Sequence, residues 1–277
     1  MKVHLNGRLT DAAQAAVAVG DRGFTLGDGV FETIKVLGGR PLRLAAHWQR
    51  LAEGARLLRL PLPLDADALE AALAQVLAAN GLDDAAVRLT VSRGPGQRGL
   101  LPPVPCTPTV LLTAGPLPPA PGPARAVIAR EVRRNQHSPL ARCKALSYLD
   151  NVLARLEAEE RGADEALLLN TDGRLAEASI ANLFVVMADG TIATPPVADG
   201  ALPGVRRAEL IGQVGAVERP LMPEDLDTAR EAFLTNALGV RPLVAVDGRP
   251  IGGGGPGPLT RALLDGMDQD TPLARPA

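Results

Sequence analysis

The sequence predicts an α+β protein of two domains. Strand-like segments and amphipathic helices occur in separate runs, without the regular alternation typical of a doubly wound parallel sheet. The chain has 277 residues, enough for one large domain or two modest ones. Residues 115–123 read Gly-Pro-Leu-Pro-Pro-Ala-Pro-Gly-Pro, and since proline lacks an amide donor we predict neither helix nor central strand there. We therefore expect a small domain over 1–114, a linker over 115–123 and a larger domain over 124–277.

The N-terminal domain is expected to form a sheet with two helices. Asn6-Gly7 and Gly38-Gly39 are turn signals beside strand-like stretches. Apolar residues recur at steps of three and four from Leu44 to Leu58, which indicates an amphipathic helix. A second helix begins near Asp65, with acidic residues in its first turn. The predicted strands cover 3–8, 29–37, 86–93 and 107–113, and the predicted helices cover 44–58 and 65–79.

The C-terminal domain is expected to contain a β-meander. Short apolar runs alternate with turns at 171–173 and 188–190, and an Asp247-Gly248 turn follows a later strand. A polar loop leads to Cys143, directly before a long helical pattern. The predicted strands cover 126–130, 231–235 and 243–246, and the meander covers 164–201. The predicted helices cover 146–161, 206–214 and 259–267, and the tail from Asp268 is expected to fray.

Composition and charge argue against several classes of function. The formal net charge is −2, and only six residues are aromatic, which leaves little for nucleic-acid binding. No apolar run approaches the roughly 18 residues needed to span a bilayer, and no secretion signal is evident. The two cysteines form no disulfide framework or zinc motif, and the three histidines lie far apart, so we expect no metal. A reduced, cytoplasmic protein without nucleic-acid or membrane partners is predicted.

Lys144 is the first candidate for chemistry. Only three of the 29 basic residues are lysines, and Lys144 lies between a polar loop and a predicted helix, among apolar neighbours. An apolar setting favours the neutral amine, which can form an imine with a carbonyl group. The residues alone leave open a second interpretation, a surface lysine whose stem lies along the protein.

Six segments resemble signatures of the class IV, or fold-type IV, pyridoxal-phosphate enzymes. They follow one another in the expected order and run nearly from end to end of the chain. They are Gly27-Asp28-Gly29-Val30-Phe31-Glu32, His47-Trp48-Gln49-Arg50-Leu51, the run from Cys143 to Ala154, the run from Leu175 to Phe184, Leu202-Pro203-Gly204-Val205-Arg206 and Phe233-Leu234-Thr235-Asn236-Ala237-Leu238.

The resemblance implies a two-domain fold like that of D-amino acid aminotransferase. Such a fold has a small N-terminal α/β domain and a larger domain with a β-barrel-like sheet. It also implies pyridoxal 5′-phosphate as cofactor, a small-molecule substrate and a homodimer. Lys144 would be the catalytic residue and would attach the cofactor.

The same resemblance assigns the other site residues. Glu177 would face the pyridine nitrogen, while Arg50 and the backbone of Gly204, Val205 and Arg206 would bind the phosphate. Further cofactor contacts are expected from Tyr148, Ser179, Asn182, Thr235 and Asn236, and substrate contacts from Phe31, Thr33 and Arg98. The bare sequence also allows plainer roles: a solvated carboxylate for Glu177, a surface cation for Arg50, a strand-end cap for Thr235 and a core side chain for Tyr148.

Two activities within this family fit the sequence. The segment 91–99 and the residues 236–243 resemble aminodeoxychorismate lyases, which release pyruvate and 4-aminobenzoate. A transaminase of the D-amino acid or branched-chain type is the alternative. Arg98 suits either activity, since a guanidinium binds a carboxylate through two parallel hydrogen bonds. Phe31 stands where D-amino acid transaminases tend to have tyrosine, which favours the lyase.

Overall fold

The computed structural model describes residues 1–266 and forms two compact units. The first contains Met1–Pro119 together with the short segment Cys143–Ser147. The second contains Ala120–Arg142 and the chain from Tyr148 onward. Met267 and the predicted frayed tail lie outside the described residues. The mixture of helices with largely antiparallel sheets confirms the α+β class.

The first unit is an antiparallel six-stranded sheet with the order β2-β1-β6-β5-β3-β4. Its strands are β1 (Lys2–Leu5), β2 (Arg8–Asp11), β3 (Gly29–Leu37), β4 (Arg40–Pro41), β5 (Ala85–Ser92) and β6 (Thr109–Pro116). Its helices are α1 (Arg22–Leu26), α2 (Leu44–Leu57) and α3 (Ala66–Asn80).

Alternation along β3 separates the two faces of this sheet. Val30, Ile34 and Val36 are buried in the core beneath α2 and α3, where Leu51, Leu69 and Leu73 pack. Phe31 and Thr33 point to the opposite face. Glu32 shares the core side, which is an unusual position for a carboxylate.

The second unit is built on a nine-stranded sheet with the order β12-β11-β10-β13-β14-β7-β8-β9 and with β15 paired to β14. Its strands are β7 (Ala124–Arg134), β8 (Glu165–Asn170), β9 (Leu175–Ala178), β10 (Asn182–Val186), β11 (Ile192–Thr194), β12 (Val217–Glu218), β13 (Glu231–Asn236), β14 (Gly239–Val246) and β15 (Arg249–Pro250). Its helices are α4 (Leu149–Glu160), α5 (Val205–Val214) and α6 (Pro258–Asp265).

The sheet of the second unit is curled. β9 ends the strand order and β10 lies near the other end, yet only residues 179–181 connect them in the chain. The Ala178 amide donates to the Ala181 carbonyl across this connection. Three residues cannot cross an open sheet, so the sheet must curve back on itself.

Most predicted elements are confirmed, and three predictions are wrong. The helix predicted from 146 begins at Leu149, because residues 144–146 instead pair with the start of β3. Tyr148 is therefore not one helical turn beyond Lys144. The central strand β6 runs two residues into the proline-rich segment, and Pro116 is tolerated as its last residue. β7 extends to Arg134, into the region predicted as a polar loop.

Within residues 1–266 no helix has the length and apolar character needed to cross a membrane. The same residues hold no group of three or more His, Cys, Asp or Glu side chains suited to a metal ion.

Candidate active site

Lys144 lies on a short extended segment against β3. The Phe31 amide donates to the Lys144 carbonyl over 2.9 Å, and the Leu146 amide donates to the Gly29 carbonyl over 2.9 Å. Gly29 permits this approach, because a Cβ there would lie 2.7 Å from a methyl carbon of Leu146 and 2.4 Å from the Val91 carbonyl oxygen. The Lys144 side chain is thus placed by backbone pairing rather than by a helix.

The ε-amine of Lys144 lies over an aromatic ring. Its Nζ is 4.2 Å from the centroid of Phe31, and the guanidinium carbon of Arg88 is 3.9 Å from the same centroid. Both are distances at which a cation is attracted to an aromatic face. Thr33 follows Phe31 on the same face of β3 and is partly exposed. Phe31, Thr33 and Lys144 therefore line one side of the N-terminal unit.

Arg50 belongs to a buried polar cluster in the N-terminal unit. Its Nε donates to Glu32 Oε1 over 2.7 Å and its Nη2 to Glu32 Oε2 over 2.5 Å. His47 Nδ1 lies 2.8 Å from Glu32 Oε2. Burial alone would raise the pKa of the Glu32 carboxyl, but the hydrogen bonds from His47 and Arg50 and their charges outweigh it, so the pKa is lowered. Glu32 therefore stays ionised in the core.

Arg98 lies on an exposed loop whose base is firmly held. The buried Arg22 donates to the carbonyls of Gly99 and Leu100 over 2.9 and 2.7 Å, and its Nε donates to Asp28 over 2.9 Å. Arg93 donates to the same Asp28 oxygen over 2.8 Å. The two guanidinium groups fix the backbone immediately after Arg98, while the Arg98 side chain itself is exposed.

Glu177 lies on β9 of the second unit and is buried. Its Oε1 is 3.0 Å from Arg134 Nη2, and its Oε2 accepts from the Leu202 amide over 2.9 Å. Asn182 Nδ2 donates to Oε2 at 3.4 Å and to the Leu202 carbonyl at 2.9 Å. Glu177 is therefore a held carboxylate, and the plain interpretation of a solvated strand-end residue is wrong.

Three further predicted cofactor residues are engaged within the C-terminal unit. The Ser179 hydroxyl donates to the buried Glu165, and the Ser179 carbonyl accepts from Asn151 over 2.6 Å. Thr235 lies opposite Asn182 in the β10–β13 pair, and its hydroxyl donates to the Gly239 carbonyl over 3.1 Å. Asn236 Nδ2 donates to the Ile180 carbonyl over 3.4 Å. These contacts give Ser179 and Thr235 a structural role whatever else they bind.

The N-terminus of α5 is buried and suited to an anion. Gly204 occupies the N-cap position, and Val205 and Arg206 follow in the first turn with little exposure. The first amides of a helix have no acceptor within the helix and carry its positive dipole end, so they bind phosphates well. A Cβ on Gly204 would lie 2.0 Å from Asn182 Oδ1, so this approach requires glycine. The backbone here fits a phosphate group.

The structure thus brings Phe31, Thr33 and Lys144 together in one unit, and Glu177, Asn182, Thr235 and the start of α5 together in the other. Tyr148 lies at the N-cap of α4, partly buried. The sequence analysis gave no role to Glu32 and His47, or to Arg22, Arg134 and Asp28. The position of Glu32 on the core side of β3 was a usable signal, whereas the partners of Arg22 and Arg134 come from distant parts of the chain.

A lysine amine able to form an imine, a buried carboxylate for a ring nitrogen and an amide-rich phosphate site define the class of pyridoxal-phosphate enzymes. Comparison with known proteins agrees. The profile of the amino-transferase class IV family matches residues 29–246. Branched-chain aminotransferases of similar fold have been solved with pyridoxamine 5′-phosphate and with N-(5′-phosphopyridoxyl)-L-glutamate. The chain belongs to this family, its fold is the fold-type IV aminotransferase-like fold, and pyridoxal phosphate is its cofactor.

The relatives include both aminotransferases and a lyase. A putative branched-chain-amino-acid aminotransferase of Methanocaldococcus jannaschii is 37% identical over 96% of this chain and 94% of its own. The structure of 4-amino-4-deoxychorismate lyase from Pseudomonas aeruginosa is 35% identical, with a TM-score of 0.82 over 97% of this chain and all of that one. The branched-chain amino acid aminotransferase from Escherichia coli is 27% identical, with a TM-score of 0.90 over 99% of this chain and 98% of that one. The chain is therefore an enzyme of this family, a lyase or an aminotransferase.

Proposed function

We propose that this protein is a 4-amino-4-deoxychorismate lyase, which converts its substrate to 4-aminobenzoate and pyruvate. The observation that carries the proposal is the segment 91–99. It resembles the lyases in sequence, and its end is fixed by Arg22 through the Gly99 and Leu100 carbonyls. The full-length likeness to a solved lyase at 35% identity supports it. Phe31, in place of the tyrosine of D-amino acid transaminases, also supports the lyase.

The reaction needs a base, an electron sink and no second substrate. Bound pyridoxal phosphate supplies the electron sink. Lys144, once displaced by the substrate amine, removes the proton from the ring carbon that carries that amine. The bond from the ring to the enolpyruvyl oxygen then breaks, and protonation of the leaving group at its methylene carbon gives pyruvate. The ring becomes aromatic, which drives the step.

The other residues hold the reacting groups in place. We propose that Glu177 faces the pyridine nitrogen and keeps it protonated, since Arg134 and the Leu202 amide fix its carboxylate. Arg50 and the first amides of α5 would bind the phosphate. Tyr148, Ser179, Asn182, Thr235 and Asn236 would complete the cofactor site. Arg98, Phe31 and Thr33 would contact the substrate, with Arg98 binding a carboxylate.

An aminotransferase is the second candidate, and the 37% identity to the Methanocaldococcus jannaschii protein favours it. An aminotransferase needs a 2-oxo acid to regenerate its cofactor, and the lyase does not. Purified enzyme should therefore be given 4-amino-4-deoxychorismate alone, with pyruvate and 4-aminobenzoate measured. In parallel, amino transfer from D-alanine and from L-leucine to 2-oxoglutarate should be measured. Equal yields of both products with negligible transfer support the lyase, and the reverse result overturns it.

Lys144→Ala tests the catalytic assignment. We expect activity to fall by at least about 10³-fold, in the range that loss of a catalytic base produces. Borohydride should fix the cofactor to wild type but not to the variant, as seen by mass spectrometry of the peptide carrying residue 144. Lys35→Ala is the matched control, a lysine on the β3 strand that should keep both properties. Covalent labelling that persists in Lys144→Ala would refute the assignment.

We also propose a cytoplasmic homodimer with the domain boundary at 115–123. Large apolar side chains are exposed in both units: Phe24, Leu101 and Val104 in the first, and Leu149, Leu153 and Leu156 on the outer side of α4 in the second. Exposed apolar groups of this kind are typical of association surfaces. The free thiols Cys106 and Cys143 suit a reducing compartment. Light scattering of the holoenzyme tests the dimer, and a monomeric mass would exclude it.

A further inference from the structure

We propose that Glu32 and His47 are positioning residues that orient Arg50 toward the cofactor phosphate. The proposal rests on the role for Arg50 proposed above, and it assigns a purpose to two buried titratable side chains that the reaction itself does not use. Glu32 is 1% exposed and His47 is 2% exposed. A charged cluster this deep in a small core needs an explanation, because buried ion pairs often stabilise a fold no better than apolar residues.

The position of Glu32 is set by the parity of β3. Its neighbours on the same face, Val30 and Ile34, are buried in the apolar core of the unit. A carboxylate at this place is unfavourable unless donors satisfy both oxygens. The structure supplies three donor atoms from two side chains, so the site is built around the carboxylate rather than tolerating it.

The donors come from one helix. His47 and Arg50 are three residues apart on α2, and residues at this spacing lie on the same helical face. Arg50 uses its Nε–Nη2 edge, with distances of 2.7 and 2.5 Å to the two oxygens of Glu32. Such a two-point contact fixes the plane of the guanidinium as well as its position. His47 holds the carboxylate from a third direction, at 2.8 Å.

The expected gain is one of preorganisation. A free arginine loses rotamer freedom when it binds an anion, and this cost weakens binding. An arginine already fixed by Glu32 avoids most of it. We expect the cluster to strengthen phosphate-dependent cofactor binding roughly 3- to 10-fold, the range associated with ordering one long side chain.

The sign of the effect separates positioning from simple charge. Glu32→Gln removes a negative charge close to Arg50, so an account based on charge alone predicts tighter binding of a dianionic phosphate. Positioning predicts weaker binding, because the amide presents a donor to the guanidinium and the two-point contact is lost. His47→Gln leaves the Glu32–Arg50 ion pair in place and should give a smaller loss in the same direction.

The experiment compares pyridoxal phosphate with pyridoxal, which lacks the phosphate. Spectroscopic titration of the full-length apoenzyme gives both dissociation constants, and their ratio reports on the phosphate site alone. Glu32→Gln and His47→Gln should lower the preference for the phosphorylated form and leave pyridoxal binding unchanged. Asp21→Asn is the matched control. It is a buried carboxylate of the same unit with Gly23, Ser92 and Thr109 as donors, and it makes no contact with Arg50.

Each outcome decides the matter. An unchanged or increased preference in Glu32→Gln overturns the proposal, as does an equal loss in Asp21→Asn. Arg50→Gln must itself lower the preference, and if it does not, the phosphate role of Arg50 fails, a result distinct from loss of lyase activity on added substrate. Fluorescence of Trp48, the single tryptophan, reports whether the unit is folded. Should Glu32→Gln not fold, His47→Gln and Glu32→Asp carry the same test.

Discussion

The two units each hold a buried glutamate paired with arginine, and the two arrangements differ in origin. Glu32 is satisfied by two side chains from one turn of α2, at positions 47 and 50. Glu177 is satisfied by Arg134 from the end of β7, by Asn182 at the start of β10 and by the amide of Leu202. One cluster is therefore assembled from neighbours in the sequence, and the other from three separate segments of a curled sheet.

The difference suggests a division of labour. Side chains surround Glu32 within the core, so it can act only through Arg50. Glu177 instead is held partly by backbone, which leaves its carboxylate in a fixed place with fewer flexible partners. A carboxylate held in this way is preorganised for electrostatic work on a bound ring. We therefore assign chemistry to Glu177 and positioning to Glu32.

Exchange of each glutamate for glutamine should break this comparison most clearly. Glu177→Gln should lower kcat by about 10²–10³-fold even at saturating cofactor, because an electrostatic stabiliser is lost from the reacting system. Glu32→Gln should keep kcat within about 3-fold of wild type once excess cofactor compensates for weaker binding. Steady-state kinetics over a range of pyridoxal phosphate concentrations measure both effects. If excess cofactor restored Glu177→Gln, the division of labour would be wrong.

The same contrast explains what the sequence could predict. The spacing of His47 and Arg50 and the alternation of β3 are local patterns, so α2 and β3 were predicted nearly to the residue. Glu32 could have been recognised as buried from that alternation. The start of α4 was misplaced because residues 144–146 pair with β3, more than a hundred positions earlier.

The partners of Glu177 lie beyond local patterns. Arg134 belongs to the part of β7 that was predicted as a polar loop, and its contact with Glu177 depends on the parallel pairing of β7 with β8. Parallel pairs of this kind join strands far apart in the chain, and single-sequence periodicity does not specify them. Family resemblance supplied Glu177 as a site residue, but not what holds it.

A pair of glycines on α5 sharpens the point about backbone in the second unit. A Cβ on Gly204 would lie 2.0 Å from Asn182 Oδ1, so Gly204→Ala should displace the amide that contacts Glu177 and destabilise the protein by about 1–3 kcal/mol. Gly212, in the interior of the same helix, has open space around a new Cβ. Gly212→Ala should stabilise it by up to about 1 kcal/mol through helix propensity.

Urea unfolding of the two glycine variants measures both values. The two substitutions are chemically identical, so opposite signs identify packing at Gly204 as the cause. Weaker cofactor binding should accompany Gly204→Ala only. Equal effects on stability would show that the approach of Gly204 to Asn182 has little energetic weight.

The smallest expected effect concerns acid stability and the first cluster. Because the pKa of Glu32 is lowered on folding by its hydrogen bonds to His47 and Arg50, the unfolded chain binds more protons here at mildly acidic pH. This contribution to stability is complete above the ordinary glutamate value of about 4.3 and is lost as the pH falls through the lower folded value. Urea midpoints between pH 6 and pH 3.5 should therefore fall less steeply for Glu32→Gln than for wild type. Glu70→Gln, which removes one exposed carboxyl from α3, is the control. Identical slopes in Glu32→Gln and wild type would mean that the carboxylate is no better stabilised in the core than in the unfolded chain.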